Sequence, residues 1–257
     1  MVSTKVALIT GGGSGIGKGI ALKLAQNGAK VAIASRALAR IERAADEFKK
    51  LGVAVLPLEM DVRNKGSVER ALDAIVSQWG SVHILVNNAG ISGLSMISEP
   101  EDGRWYDIID TNLNGLYLVT KAVLKTMPDN SGGRVINISS VLGKFGVPGY
   151  TAYCATKHGV IGFTRALALE VVNRGITVNT ICPGWVDTEM ATLGIHETAA
   201  HLGLTPEQFK AQAIEGVPIK RFIEIEEIAE FVCYIASDAA RGITGQAMNI
   251  CGGQTMV

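Results

Sequence analysis

Short apolar runs recur along the chain at residues 6–9, 31–34, 53–58, 84–86, 135–138, 176–181 and 247–250. Most lack polar alternation, the signature of strands buried on both faces. Between them lie helix-like stretches at 15–27, 38–50, 67–79, 105–127, 153–173 and 226–237. Strand and helix alternating in this way predict right-handed crossovers and a parallel sheet of about seven strands, with helices on both faces. No repeat, low-complexity tract or charged linker interrupts 1–257, so the expectation is a single doubly wound α/β domain. Its ligand site should lie at the carboxyl ends of the strands.

Residues 189–216 break the rhythm, with helix signals but no strand. Thr205-Pro206-Glu207 reads as an N-cap, a proline at the first helical position and an acid. An insertion after the sixth strand should cover the ligand site as a lid or substrate wall.

Composition narrows the class. The 24 basic and 24 acidic side chains balance, which argues against a nucleic-acid binder. With 47% hydrophobic and 19% charged residues, the 257-residue chain can bury a large core and is not disordered. Glycine occurs 30 times, where average usage would give about 18. No run is long enough to span a membrane, and the start of the chain has no signal-peptide pattern. Cys154, Cys182, Cys233 and Cys251 form no metal-type pair and read as reduced core side chains, hence a cytoplasmic protein.

The glycines gather where chemistry is expected. Thr10-Gly11-Gly12-Gly13-Ser14-Gly15-Ile16-Gly17 follows the first strand and opens a helix. Such a turn brings free N–H groups and a helix's positive end to a pyrophosphate. Its T-G-x-x-x-G-x-G spacing differs from the G-x-G-x-x-G dinucleotide fingerprint. At the end of the second strand, a site for NAD would place an acid on the ribose. Here the strand ends in Ser35 and Arg36, a hydroxyl and a guanidinium suited to a 2′-phosphate. After the fourth strand, Asn87-Asn88-Ala89-Gly90 offers small residues for close packing against a nucleotide.

Tyr153 and Lys157 stand at i and i+4, on one helix face. A nearby lysine cation should lower the tyrosine's pKa from near 10 and make it a usable acid–base group. Ser140, thirteen residues earlier, could hold a substrate oxygen beside the phenol.

Taken in order, Thr10–Gly17, Asp61, Asn87–Gly90, Asn112, Ser140, Tyr153, Lys157, Pro183-Gly184 and Thr188 resemble the short-chain dehydrogenase/reductase family over essentially the whole chain. The resemblance implies a Rossmann-like fold and a proton-relay tetrad. Tyr153 would be the acid–base and Ser140 would orient the carbonyl. Lys157 would bind the nicotinamide ribose, and Asn112 would hold a water. The cofactor-binding set would be Gly11, Ser14, Gly15, Ile16, Gly17, Ser35, Arg36, Asp61, Val62, Asn88, Ala89, Gly90, Tyr153, Lys157, Pro183, Gly184, Val186 and Thr188. Asp61 and Val62 would face the adenine, and Pro183 to Thr188 the nicotinamide. No metal is implied.

Residues 178–184, 217–222 and 247–253 look most like the β-ketoacyl and polyketide ketoreductases. Ser14 stands where many NADP-using ketoreductases carry a basic residue, so phosphate binding would rest on Arg36, with Arg40 as a second candidate. The loop Ile91-Ser92-Gly93-Leu94 departs from the glycine-rich loop of the polyketide enzymes and leaves acyl-carrier substrates open.

The reading is therefore an NADP-dependent ketoreductase acting on a carbonyl or secondary alcohol. An enoyl reductase and a non-catalytic NADP-binding regulatory subunit are the alternatives. Met190, Leu193, Ile195, Leu202, Leu204 and Phe209 in the insertion favour an apolar or aromatic ketone. Ile108, Leu116 and Val119 on one long helix and Val160, Phe163, Leu167 and Val171 on another could pair copies in a symmetric interface, and the resemblance implies a homotetramer.

Overall fold

A computed structural model describes residues 2–98 and 100–257, so Met1 and Glu99 lie outside the described residues. The strands are β1 (Val6–Thr10), β2 (Lys30–Ser35), β3 (Val55–Glu59), β4 (Ile84–Asn87), β5 (Arg134–Ile138), β6 (Thr177–Pro183) and β7 (Ala247–Ile250). They form one sheet in the order β3-β2-β1-β4-β5-β6-β7, with every pair parallel. Strand order reverses between β1 and β4, which opens a crevice at their carboxyl ends. The doubly wound expectation holds.

Alternate strand residues supply the two cores, as the pleat requires. Ile9, Ile33, Val86 and Ile138 face one way, onto α1 (Gly15–Gln26), α2 (Leu38–Lys50) and α9 (Ile225–Ala236). Leu8, Ala34, Leu85 and Val135 face the other, onto α3 (Lys65–Trp79), α5 (Gly115–Thr126) and α6 (Thr151–Val171). Each large side chain fully buried this way stabilises the fold by about 1.5–3 kcal/mol. Because both faces are covered, the strands carry no polar alternation.

Two expectations need correction. The helix expected over 105–127 is divided into α4 (Gly103–Ile109), a π-helical turn (Asp110–Asn114) and α5. That turn holds two buried polar residues, Thr111 and Asn112. The apolar residues expected to pair subunits are also used at home. Ile108, Leu116, Val119, Val160, Leu167 and Val171 are buried in the subunit's own core, and Phe163 packs against it. The large apolar side chains exposed on these helices are instead Trp105, Tyr106, Tyr117 and Leu169, with Val172 just beyond α6; Leu169 is 78% exposed.

The insertion is two helices, α7 (Glu189–Leu202) and α8 (Pro206–Glu215). Thr205 caps α8 in a capping box whose third residue is Gln208, with Pro206 at the first position. Trp185, just after β6, stacks on Phe222 at 5.5 Å and meets Phe209 of α8 edge-on at 6.2 Å, tying the insertion to the body. Among the described residues, no helix is long and apolar enough to cross a membrane. Cys182 and Cys251 are buried, but Cys154 and Cys233 are only half-buried, so not every cysteine is a core residue; all four are free thiols.

Candidate active site

The turn after β1 is shaped by what glycine lacks. Gly11 adopts φ +66°, and its N–H donates to Ala34 O at 2.7 Å, which locks the turn to β2. A Cβ on Gly17 would lie 2.4 Å from both Asn88 Nδ2 and Gly11 O, so α1 packs against the turn only without a side chain there. Asn88 Nδ2 donates to the carbonyls of Thr10 and Gly11, at 3.1 and 3.2 Å. Thr10 Oγ1 accepts from the N–H groups of Asn88 and Ala89, at 3.0 and 2.9 Å. The two expected nucleotide segments, after β1 and after β4, are thus one hydrogen-bonded unit. Thr10 stands outside the sequence-derived site set; its place as the last residue of β1 is the signal that would find it.

The remaining cofactor candidates line the same edge of the sheet. Ser14 is the N-cap of α1, and Ile16 half-buried inside its first turn. Ser35 ends β2 with its Oγ accepting from Ala37 N at 3.2 Å, and Arg36 follows it, exposed. Asp61 carries its own counter-ion: Arg63 donates to its carboxylate at 2.9 Å and holds its pKa below the usual carboxylate range. Val62 is buried against Gly115 at the start of α5. Gly90 lies beside the Asn112 side chain. Across the crevice, Pro183 ends β6 and Gly184 packs on Cys251, while buried Val186 bridges to Ile223. Thr188 caps α7, accepting from Ala191 N at 3.2 Å.

Ser140, Tyr153 and Lys157 come together where β5 ends and α6 begins. Ser140 Oγ accepts from Leu142 N at 3.1 Å, and Ser140 is close enough to Tyr153 to pull its pKa down in part. Lys157 Nζ donates to Ile138 O at 2.9 Å and lies 5.3 Å from the centre of the Tyr153 ring. Ser139, which the sequence reading does not single out, donates to Lys157 O at 2.9 Å and fixes α6 to the strand end.

The electrostatics correct the expected direction. Desolvation pushes Tyr153 up to about 12, only partly opposed by Ser140. Burial pushes Lys157 down to about 8. The ammonium sits over the phenol's ring face and donates its hydrogen bond to Ile138 O rather than to the phenol oxygen, so it does not offset the tyrosine's desolvation.

Asn112 stands apart from this group. Its Nδ2 donates to Ile91 O at 2.9 Å and its Oδ1 accepts from Ile91 N at 2.8 Å. Nδ2 also reaches Thr156 Oγ1 on α6 at 3.3 Å. It therefore pins the loop after β4 to α6 and makes no hydrogen bond to Lys157.

Helix α7 of the insertion contacts the loop after β4 and the residue that precedes α6. Glu197 of α7 takes a bond from Arg104 at 3.2 Å and another from Leu94 N at 3.3 Å. Tyr150 and Thr198 share a hydrogen bond at 2.8 Å. Tyr150 in turn meets the Tyr153 ring edge-on at 6.5 Å, so α7 stands next to the candidate acid. Among the described residues, no cluster of His, Cys, Asp and Glu could hold a metal.

Comparison with known proteins agrees with this geometry. The sequence profile of the family described as short chain dehydrogenase matches residues 5–197. A putative ketoacyl reductase of Streptomyces coelicolor is 40% identical over 252 residues, covering 97% of this chain and 97% of that protein. A 3-oxoacyl-[acyl-carrier-protein] reductase of Pseudomonas aeruginosa is 40% identical over 252 residues, with 98% of each covered. Among solved structures, a Phe-to-Trp variant of actinorhodin polyketide ketoreductase with NADPH superposes with a TM-score of 0.92 at 40% identity, over 98% of this chain and 97% of that one. A short-chain dehydrogenase/reductase from Serratia marcescens gives 0.89 at 32% identity, over 99% of both.

Proposed function

The chain belongs to the short-chain dehydrogenase family, and from that premise we propose an NADP-dependent ketoreductase whose acid is Tyr153. The observation that carries the proposal is the meeting of Ser140, Tyr153 and Lys157 at the carboxyl end of β5, across the crevice from the glycine turn.

The residues present fit NADP. Glycines at 11, 12, 13, 15 and 17 keep the turn open where α1 begins, and the exposed Arg36 follows Ser35 at the end of β2. Arg36 and Ser35 would hold the 2′-phosphate and Gly11 to Gly17 the pyrophosphate. Asn88, Ala89, Gly90, Asp61 and Val62 would hold the adenosine side. Pro183, Gly184, Val186 and Thr188 would line the nicotinamide, with Lys157 on its ribose. When bound, NADPH supplies the hydride that reduces the carbonyl carbon.

The chain's own residues do the rest. Ser140 and Tyr153 present adjacent hydroxyls to one carbonyl oxygen, which fixes its orientation. Tyr153 stays protonated throughout the physiological range and gives that proton to the oxygen as the alcohol forms. Lys157 is a cation below about pH 8 and would return a proton to the phenolate left by that transfer, regaining its own from water. Asn112 holds the loop after β4 against α6, which keeps the wall of the site in place; a water on its remaining acceptor capacity would extend the relay. The 189–216 segment is the substrate cover. Its exposed Met190, Leu193 and Leu202 suit an apolar or aromatic ketone. A homotetramer built on the exposed faces of α5 and α6, in the cytoplasm, completes the reading; four unpaired cysteines are consistent with that compartment.

The test is NADPH consumption by purified protein offered acetoacetyl thioesters, aryl ketones, cyclic ketones and sugars. Turnover of an apolar ketone is expected. Tight NADP binding with no turnover of any carbonyl would favour the regulatory-subunit alternative. Reduction of enoyl thioesters alone would favour an enoyl reductase.

A further inference from the structure

Arg40 on α2 spans the cofactor crevice. Its Nη1 donates to Ser14 Oγ in the glycine turn at 3.3 Å and to Glu189 Oε2 at 3.1 Å. Glu189 is the first residue of α7, the helix proposed above as part of the substrate cover. The approach is close on every side. A Cβ on Gly13 would fall 3.2 Å from Arg40 Cγ, and one on Gly15 would fall 3.4 Å from the Thr188 methyl. The turn, α2 and the start of α7 therefore meet at the N-terminal end of α1, where free N–H groups favour an anion. A carboxylate stands on a guanidinium at the mouth of that site. Arg36, by contrast, makes no side-chain hydrogen bond among the described residues.

We propose that Glu189 weakens the preference for NADPH by occupying Arg40, so that the 2′-phosphate must take this arginine from a resident carboxylate. The inference rests on the NADP reading above and names a competitor within the same site. The exchange is feasible because the pair is open to water, with side chains 43% and 65% exposed, so its attraction is small. A phosphate brings more charge than a carboxylate and more acceptor oxygens. While Glu189 is present, Arg36 carries most of the preference for NADPH, and the negative charge of Glu189 subtracts from it. The arrangement also joins cofactor loading to the cover. When Arg40 changes partner, the N-terminal tether of α7 is released while Glu197 and Thr198 still hold its middle.

Equilibrium binding read by protein fluorescence tests this without turnover. The ligands are NADP⁺, NAD⁺ and adenosine 2′,5′-bisphosphate. The proteins are wild type, Glu189→Gln, Arg40→Met and the double variant. Glu189→Gln should tighten NADP⁺ and the bisphosphate by about two- to fivefold at low ionic strength, the range open to an exposed ion pair. NAD⁺ affinity should not change. The gain should shrink as salt rises and vanish in the Arg40→Met background. Equal effects on NADP⁺ and NAD⁺, no effect on either, or a gain that survives without Arg40 would overturn the proposal. A wild-type protein that binds no NADP⁺ would overturn the cofactor reading itself, and the proposal with it.

Discussion

At neutral pH the Tyr153 hydroxyl keeps its proton, because desolvation holds it up at about 12 while Lys157 lies over the ring. That state suits reduction, in which the tyrosine gives a proton away. Lys157, at about 8, then sets the upper pH limit. Reduction by the wild type should be level below about pH 8 and decline above it, and Lys157→Arg should remove that decline; a level profile to pH 10 in the wild type would contradict it. The same shift bears on stability. Lys157 has its folded pKa pushed down from 10.5 to about 8. Between those values the unfolded chain holds more protons, so this group's contribution to stability rises with pH, and its burial cost is present in full below pH 8. Lys157→Met should melt a few degrees higher than wild type at pH 7, with the gap narrowing toward pH 10. Thermal scans at the two pH values decide it. Cofactor choice is also settled by single residues. A hydrogen bond to a charged group is worth about 1.5–3 kcal/mol, so Arg36→Ala should raise the NADPH Michaelis constant about ten- to a hundredfold. NADH should be almost unaffected, and an unchanged NADPH constant would be inconsistent with Arg36 as the phosphate residue.

Among the elements, the glycine turn and α1 were the most legible in sequence. Thr10 to Gly17 can be read directly because glycine is required by contacts, as at Gly17, whose missing Cβ lets Asn88 and the Gly11 carbonyl approach. Gly17→Ala should cost about 1–3 kcal/mol of stability through overpacking. It should also weaken NADP binding sharply, as calorimetry and denaturation would show. The strands were legible for a related reason: burial on both faces removes polar residues, and apolar runs are what remain. The π-helical turn at Asp110–Asn114 was not legible, since its cause is tertiary. Asn112 must reach the backbone of Ile91, and no local periodicity records that demand. Long-range partnerships were equally hidden. Arg40 and Glu189 are far apart in sequence, and Ser139 acts on a backbone carbonyl of α6. The direction of the Tyr153 shift escaped a reading of spacing because i and i+4 fixes the helix face but not where the ammonium comes to rest.

For the whole molecule, the sheet order places β1 and β4 at the centre, and the crevice between them receives residues from almost every crossover. Composition gives a balanced charge and no membrane-length apolar run, but it does not tell core from contact surface. Apolar residues expected at a subunit interface lie in or against the core, and the exposed ones on these helices are Trp105, Tyr106, Tyr117, Leu169 and Val172. On the proposed assembly, light scattering should return about four times the chain's 27.1 kDa. Leu169→Glu should then lower that mass without unfolding the subunit, since the side chain is 78% exposed. A wild-type mass of one chain would contradict the tetramer.

The most direct test of the account is single-turnover reduction of a ketone found in the substrate screen, comparing wild type with Tyr153→Phe after both are loaded with NADPH. The substitution keeps the ring against Tyr150 and Lys157 and deletes only the proton. The account predicts equal loading and a reduction rate lowered by about two to four orders of magnitude, the contribution of a positioned general acid. A Tyr153→Phe protein that reduces the ketone at near wild-type rate would contradict it.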